Sequence, residues 1–581
     1  MVDENTLPAA VDLAVGFAAG VPVVAELTWS QRGMWEMHRR MSPHHHYFNF
    51  GRLFQVPQGR TVTDVLNALR RLVERYEAFR TVVRCGEDGQ PRQHVSNRGE
   101  YRIEWYPTEA QACALVTERL AYEYKGHAFA DEEWPLRVAV VGVADAPRYV
   151  LFMVSHLAVD RWGMELACDA FDRLLSGTDT PPDAESWHPR EQAAVDHTPA
   201  GARMGARAAE YWRRTLLTAP QTVFPAPQPA QPSRWCPTAI LESEALAMAA
   251  RALSIRYGAS PASVVLTAAA ALLSLRTGNP RLVLRLFAAN RYGPRLRGMV
   301  GTCVQLGLVS VDLDGGTFAE LIDRTWAATV LAYRHSRYPP DAIEETIREV
   351  NHDRGIDLDL WYHFHDATDA ASRSGADGGG PADIEDITAA LAGSRFQTSV
   401  VWGCHQRFLV EIEGRPGVRF RLAVTADPAH LPRAEVERLT RGIETVVVAA
   451  AAGEVPVARL PALTAVTPAA PSATALWYDR CLVEPDAVRD LLADIPGVVA
   501  AEIAIDRDGA AATAIVGHVA TDRDDLTPDG LHRACLALLP GRRDAVAPSS
   551  YVIHDLVTGY PPPPRWAEIT PVRCRGTGRR G

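Results

Sequence analysis

Val154-Ser155-His156-Leu157-Ala158-Val159-Asp160-Arg161-Trp162-Gly163 lies where one apolar run stops and another begins. Upstream, residues 136–144 (LRVAVVGVA) and 148–156 (RYVLFMVSH) read as two strands, with Asp145-Ala146-Pro147 turning the chain between them. Downstream, MELACDAFDRLL after Gly163 carries its apolar residues on one helical face. A histidine therefore ends a strand, and an aspartate follows four residues later, ahead of a helix. An imidazole at a strand end projects into a cleft, and the aspartate can fold back as an ionic partner that fixes the loop. That arrangement suits acyl transfer, in which the imidazole positions or deprotonates an attacking nucleophile. Ser155 is not read as a nucleophile, because neighbours on a strand point to opposite faces.

Further segments surround this one. Leu27-Thr28-Trp29-Ser30-Gln31-Arg32-Gly33-Met34-Trp35 follows a lead-in stretch, with Trp29 and Trp35 read as core. Residues 63–82 place Val65, Leu66, Leu69, Leu72, Val73 and Tyr76 at helical spacing, with Thr63 as the expected N-cap, and include Arg75-Tyr76-Glu77-Ala78-Phe79-Arg80-Thr81. Trp134-Pro135-Leu136-Arg137 precedes the two strands. Arg291, Val300-Gly301-Thr302-Cys303-Val304-Gln305 and His335-Ser336-Arg337-Tyr338-Pro339 follow much later.

In identity and order these segments resemble the motifs of the condensation domains of nonribosomal peptide synthesis, over residues 25–450. Such domains carry His-His-x-x-x-Asp-Gly where this chain reads Ser-His-x-x-x-Asp-Arg. The resemblance implies an α/β (α+β) fold of the chloramphenicol-acetyltransferase type, with two lobes and a central tunnel. It makes His156 the catalytic residue and Asp160 a structural residue paired with Arg291, while Ser155 replaces the first His. A backbone N–H at Trp162 or Gly163 is the expected oxyanion donor. Arg161 replaces a glycine; it either binds an acidic substrate group, fills the tunnel or is solvated. Gln305, His363 and His365 join Arg161, Trp162 and Gly163 as tunnel-lining candidates. His363 and His365 alternate on an expected strand and so share a face, which suits either lining or packing.

The implied reaction joins a carrier-bound acyl thioester to an amine or hydroxyl in peptide-like natural product biosynthesis. The phosphopantetheine arm belongs to carrier proteins acting in trans, since no Gly-Gly-x-Ser carrier signature occurs. No permanently bound cofactor is expected. The changes at Ser155 and Arg161 also admit a second function: an inactive condensation-like module that recruits another enzyme to a carrier.

Composition narrows the field. The 581 residues carry a formal net charge of -10, which argues against nucleic acid or an acidic membrane as partner. No run of ~18 apolar residues suggests a membrane span. Nine widely spaced cysteines without a C-x-x-C pair suit reduced thiols in a cytoplasm and no zinc site. His44-His45-His46 is read as an incidental loop tract and not a metal site. Lys125 is the sole lysine, so a Walker A loop and a pyridoxal Schiff base are disfavoured.

The expected organisation is a lead-in (1–24), an N-lobe (25–200), a C-lobe (201–453), a Pro/Ala/Thr linker (454–476), a small α+β unit (477–560) and a tail (561–581). Residues 367–384 read as a mobile loop. Val483-Glu484-Pro485, Pro496-Gly497-Val498 and Leu539-Pro540 resemble the C-terminal subdomain of adenylation domains. Where that subdomain carries Asn-Gly-Lys, this chain has Thr558-Gly559-Tyr560-Pro561-Pro562, which implies a remnant reused for docking or structure.

Overall fold

The computed structural model describes residues 7–179, 187–224, 235–368, 382–402, 406–415, 417–469, 471–508, 511–555, 567 and 571–579. The core of loop 367–384, Cys404 and the stretch 558–562 lie outside them. Two compact units result: Met1–Arg207 with Ala288–Gln305 and Arg337–Pro340, and Ala208–Phe287 with Leu306–Ser336 and Asp341–Gly581.

The first unit is built on strands β1 (Val11–Ala18), β2 (Val23–Glu26), β3 (Phe50–Gln55), β4 (Thr81–Cys85), β5 (Pro91–Val95), β6 (Arg98–Pro107), β7 (Leu136–Val143) and β8 (Ala146–Val154). Five form one sheet in the order β1-β6-β7-β8-β3, and β2, β5 and β4 form a second. The hairpin β7–β8 is almost continuously apolar because both of its faces are covered. Val138, Val140, Val150, Phe152 and Val154 enter a core with helices Val62–Arg75 and Arg161–Ser176. The alternate residues Ala139, Val141, Leu151 and Met153 meet helix Cys113–Lys125 on the other side.

Several local boundaries differ from the sequence reading. The first long helix is capped by Thr61, not Thr63: the Thr61 hydroxyl accepts from Asp64 N at 3.2 Å, and the Asp64 carboxylate accepts from Thr61 N at 2.8 Å. This reciprocal capping box sets the start, two residues before the apolar periodicity becomes visible. The helix stops at Arg75, and Thr81 already begins a strand. The β7–β8 turn is Ala144-Asp145, with Ala144 at φ 50°, while Pro147 lies inside β8. The strand ends at Val154, two residues before His156, and the next helix starts at Arg161 rather than after Gly163.

The second unit carries a seven-stranded sheet made of β9 (Trp235–Ser243), β10 (Arg281–Ala288), β11 (Gln305–Asp312), β12 (Tyr362–Thr368), β13 (Arg395–Trp402), β14 (Phe408–Arg415) and β15 (Arg419–Ala426), in the order β11-β10-β12-β14-β15-β9-β13. Helices Glu244–Tyr257, Pro261–Thr277 and Arg433–Ala452 supply much of its core. Helix Pro261–Thr277 is apolar on nearly every side because it is buried on nearly every side. No single described helix is long and apolar enough to cross a membrane.

Six C-terminal strands between Leu476 and Gly576 make a further sheet, with helices Pro485–Ala493 and Pro528–Leu538 beside it. This segment is tied into the second unit by buried polar contacts. Gln221 donates to the carbonyls of Arg543 (2.6 Å) and Ala545 (3.0 Å). Arg354 joins the Asp479 carboxylate at 2.8 Å and also reaches the carbonyls of Leu216 and Ala219, both at 2.7 Å. The Arg543 guanidinium lies 3.1 Å from Asp359.

Candidate active site

Asp160 organises the loop that carries His156. As N-cap of helix Arg161–Ser176, its Oδ1 accepts the Gly163 amide at 2.7 Å. The same oxygen accepts the Arg291 guanidinium at 2.6 Å, and Oδ2 accepts the Cys303 amide at 2.8 Å. Arg291 also donates to the carbonyls of Leu296 (2.8 Å), Met299 (2.6 Å) and Gly301 (2.8 Å). Both side chains are almost fully buried, with exposures of 2% for Arg291 and 5% for Asp160. The pair thus clamps segment 291–303 against the start of the helix. With its oxygens committed to these donors, Asp160 is built as a fixed acceptor rather than a proton carrier.

Around the loop, Ser155 N donates to Pro135 O at 2.9 Å and Asp160 N to Gly301 O at 3.3 Å. The Thr302 hydroxyl donates to His156 O at 2.6 Å. The buried Ser155 hydroxyl accepts the Leu157 amide at 3.3 Å, so it works within the turn. Backbone bonds thus pin both sides of His156, leaving its imidazole to be placed by neighbours. The ring packs against Phe50, with centroids 4.8 Å apart, and Phe48, at 6.3 Å. Its Nδ1 is buried and has no hydrogen-bond partner. Burial lowers the imidazole pKa below its ordinary value, against the opposing pull of nearby backbone and the Asp160 carboxylate. The His156 imidazole is therefore biased toward its neutral form.

The remaining candidates are distributed as follows. Gly163 cannot be the oxyanion donor, because Asp160 already takes its amide. A Cβ on Gly163 would lie 2.7 Å from Gly301 O and 2.9 Å from Gly301 N. Gly163→Ala is accordingly expected to destabilise the protein by about 1–3 kcal/mol through overpacking, read as a fall in the urea midpoint. The Trp162 indole donates to Arg297 O at 3.1 Å, and the Arg291 guanidinium lies 5.9 Å from its ring. Arg161 is exposed and pairs with Glu165 at 3.4 Å, one helical turn on. Gln305 is buried and brackets Tyr338, donating to its carbonyl at 2.8 Å and accepting its amide at 3.4 Å. Among the described residues, no cluster of three His, Cys, Asp or Glu side chains could hold a metal ion.

His363 and His365 both lie on β12 in the second unit and flank Phe287, with centroids 5.7 and 4.6 Å away. His365 bonds Glu411 at 2.8 Å, whereas His363 is buried and its pKa is lowered to about 3, chiefly by burial. Burial also lowers His38 to about 3 and His430 to about 4. Unfolding lets such imidazoles bind protons they refuse when folded, so they contribute full stability above pH ~6.5 and lose it as pH falls through the window below. Urea midpoints should therefore decline between pH 7 and pH 5; a flat profile would contradict the neutral burial of these rings.

Residues the motif reading did not single out are Phe48 and Phe50 beside His156, and His38; Thr302 stood inside a quoted motif without its bond to the His156 carbonyl being foreseen. Lys125 reaches the carbonyls of Tyr47 and Asn49, which fixes the segment bearing Phe48. The available signal was the aromatic density of His44–Phe50, which by itself does not say what the rings pack against.

Comparison with known proteins agrees with this geometry. The family described as "Condensation domain" matches residues 23–400. A probable non-canonical nonribosomal peptide synthetase, CymA of Salinispora arenicola (strain CNS-205), is 26% identical over 347 residues, covering 57% of this chain and 4% of that protein. Phosphinothricin tripeptide synthetase PhsC of Streptomyces viridochromogenes (strain DSM 40736 / JCM 4977 / BCRC 1201 / Tue 494) is 26% identical over 345 residues, covering 55% of this chain and 31% of that one. The chain thus spans less than a third of either relative. A mutant of the starter condensation domain of rhizomide synthetase RzmA, solved in complex with C8-CoA and Leu-SNAC, superposes with a TM-score of 0.56 at 18% identity, covering 75% of this chain and 96% of that one. The fold is therefore the two-lobed α+β fold of these domains.

Proposed function

This chain belongs to the condensation-domain family, and we propose that it joins a carrier-bound acyl thioester to an amine, or to a hydroxyl in the ester-forming variant. The carrying observation is His156: a neutral imidazole beside Phe50, with a buried unpartnered Nδ1, on a loop clamped by Asp160 and Thr302. The amine nitrogen attacks the thioester carbonyl while His156 orients it or takes its proton. The C–N bond forms, the C–S bond breaks, and the proton passes to the departing thiolate. Much of the acceleration comes from holding the two reactants together.

The partners in this reading are acyl or peptidyl carrier proteins, whose phosphopantetheine arms deliver the substrates to His156. No resident cofactor takes part. The described cysteines are free thiols, which suits a reducing cytoplasm. The C-terminal sheet is read as a remnant of an adenylation subdomain kept as structure, and its buried ties to Gln221 and Arg354 support that role.

The test mixes acyl-loaded carrier protein with candidate amines and follows intact masses. Transfer of the acyl group to the amine supports the proposal. Carrier binding without product, across amines and hydroxyl acceptors, overturns it in favour of a recruitment module.

A further inference from the structure

The sole lysine of the chain, Lys125, ends the helix Cys113–Lys125 in the first unit. Its side chain reaches back to a segment far upstream. Nζ donates to the Tyr47 carbonyl at 3.0 Å and to the Asn49 carbonyl at 2.5 Å. These two carbonyls flank Phe48. An ammonium suits them, because it offers three donors from one nitrogen, and its charge strengthens each bond. A second tie holds the same corner: the buried Asn49 side chain donates to the His127 carbonyl at 2.7 Å, two residues past Lys125.

What this grip holds is the wall of the catalytic imidazole. Phe50 opens β3 and pairs with Val154 at the end of β8, so the sheet sets its backbone. Phe48 stands before the strand, at the end of the short turn His44–Phe48, which has no side-chain cap. Its ring faces His156 and stacks on His38, with centroids 6.0 Å apart and planes 9° apart. The stance of Phe48 therefore depends on Lys125 and Asn49. The ammonium also acts on the imidazole through space. Burial has the largest effect on the His156 proton; among charged groups, Asp160 from its own loop favours the protonated ring and Lys125 opposes it. His38, facing from helix Trp29–Met41, has its own pKa lowered to about 3, chiefly by burial, and brings no charge at pH 7.

We infer that Lys125 is a positioning residue for His156: its ammonium, bonded to the carbonyls on both sides of Phe48, keeps the aromatic wall against the imidazole and fixes a positive charge near it. The inference rests on the acyl-transfer reading for what His156 does, and adds to it the residue that sets how the ring stands. Lys125 touches no reacting atom in this scheme. It acts through Phe48 and through its charge, and the two routes can be separated.

The test compares Lys125→Met, Lys125→Gln and Lys125→Arg in the full chain. Two quantities are read: kcat and KM for acyl transfer from loaded carrier to amine, and the titration of the His156 ring by NMR, its signal assigned by loss in His156→Ala. Lys125→Met removes donors and charge together. It should lower kcat about tenfold with KM within about twofold, since the imidazole is misplaced while substrate binding is kept. It should also move the His156 titration to higher pH, because the charge opposing the proton is gone. Lys125→Gln keeps an N–H donor without the charge, so kcat should fall less while the titration moves the same way. Lys125→Arg keeps both, and should hold the titration at its wild-type position and kcat within about threefold. Thermal melts establish that each variant folds; should Lys125→Met not fold, Gln against Arg carries the same comparison. Wild-type kcat in the charge-removing variants, or a His156 titration that they leave in place, would overturn the inference, the latter because a merely structural lysine would cost stability without moving it. The titration is read without turnover, so a shift in a protein that forms no product would refute the acyl-transfer reading alone.

Discussion

Asp160→Ala is expected to lose about 3–5 kcal/mol of folding stability, the range for removing one partner of a buried ion pair. The loss has three sources. Arg291 keeps its charge at 2% exposure with only carbonyl acceptors left. The Cys303 amide loses its acceptor. The helix Arg161–Ser176 loses its N-cap, alone worth about 1 kcal/mol. Urea denaturation of the full chain measures the total. Because the penalty is mainly an orphaned charge, Arg291→Met should restore part of the stability when added to Asp160→Ala, whereas two independent sites would add. An Asp160→Ala protein within about 0.5 kcal/mol of wild type would show that the clamp does not hold in solution.

The second large effect concerns chemistry. His156→Ala should lower the rate of product formation by a factor of order 10² or more, since the substitution removes the proton-handling group, while the ring makes no hydrogen bond at Nδ1 that supports the fold. Phe50 and Phe48 lose a packing partner, so a modest fall in the urea midpoint is compatible. The pH profile distinguishes this role from a structural one. Burial lowers the imidazole pKa, so the base form persists below the ordinary value of about 6.5, and the acid limb of the rate should lie on the acidic side of it. An acid limb at or above that value, or equal rates for wild type and His156→Ala, would remove His156 from the mechanism.

How much of this was legible beforehand depended on the range of the interactions involved. The β7–β8 hairpin and helix Pro261–Thr277 could be read because apolar run length and turn chemistry are local properties. Boundaries were less accurate where a side chain overrides periodicity. Thr61 and Asp160 cap their helices through side-chain hydrogen bonds that apolar spacing does not register. The expectation of an oxyanion donor at Gly163 failed for a related reason: the backbone amide three residues after an N-cap is a natural donor to that cap.

The sequence by itself determined the family. Histidine and aspartate four residues apart between a strand and a helix, with ordered matches elsewhere, mark the family because covalent neighbours cannot drift apart. The chain also settles its own chemical means, with one lysine and hence an arginine-only set of buried cations. The tertiary structure decided what each residue does there. Asp160 spends its oxygens on Arg291, Gly163 and Cys303, 131, 3 and 143 positions away. Phe50 lies beside the imidazole although it is more than a hundred residues upstream. Burial, which sets the protonation of His156 and His38 and leaves atoms of His38 and His45 without partners, belongs to the packed chain and not to any segment of it.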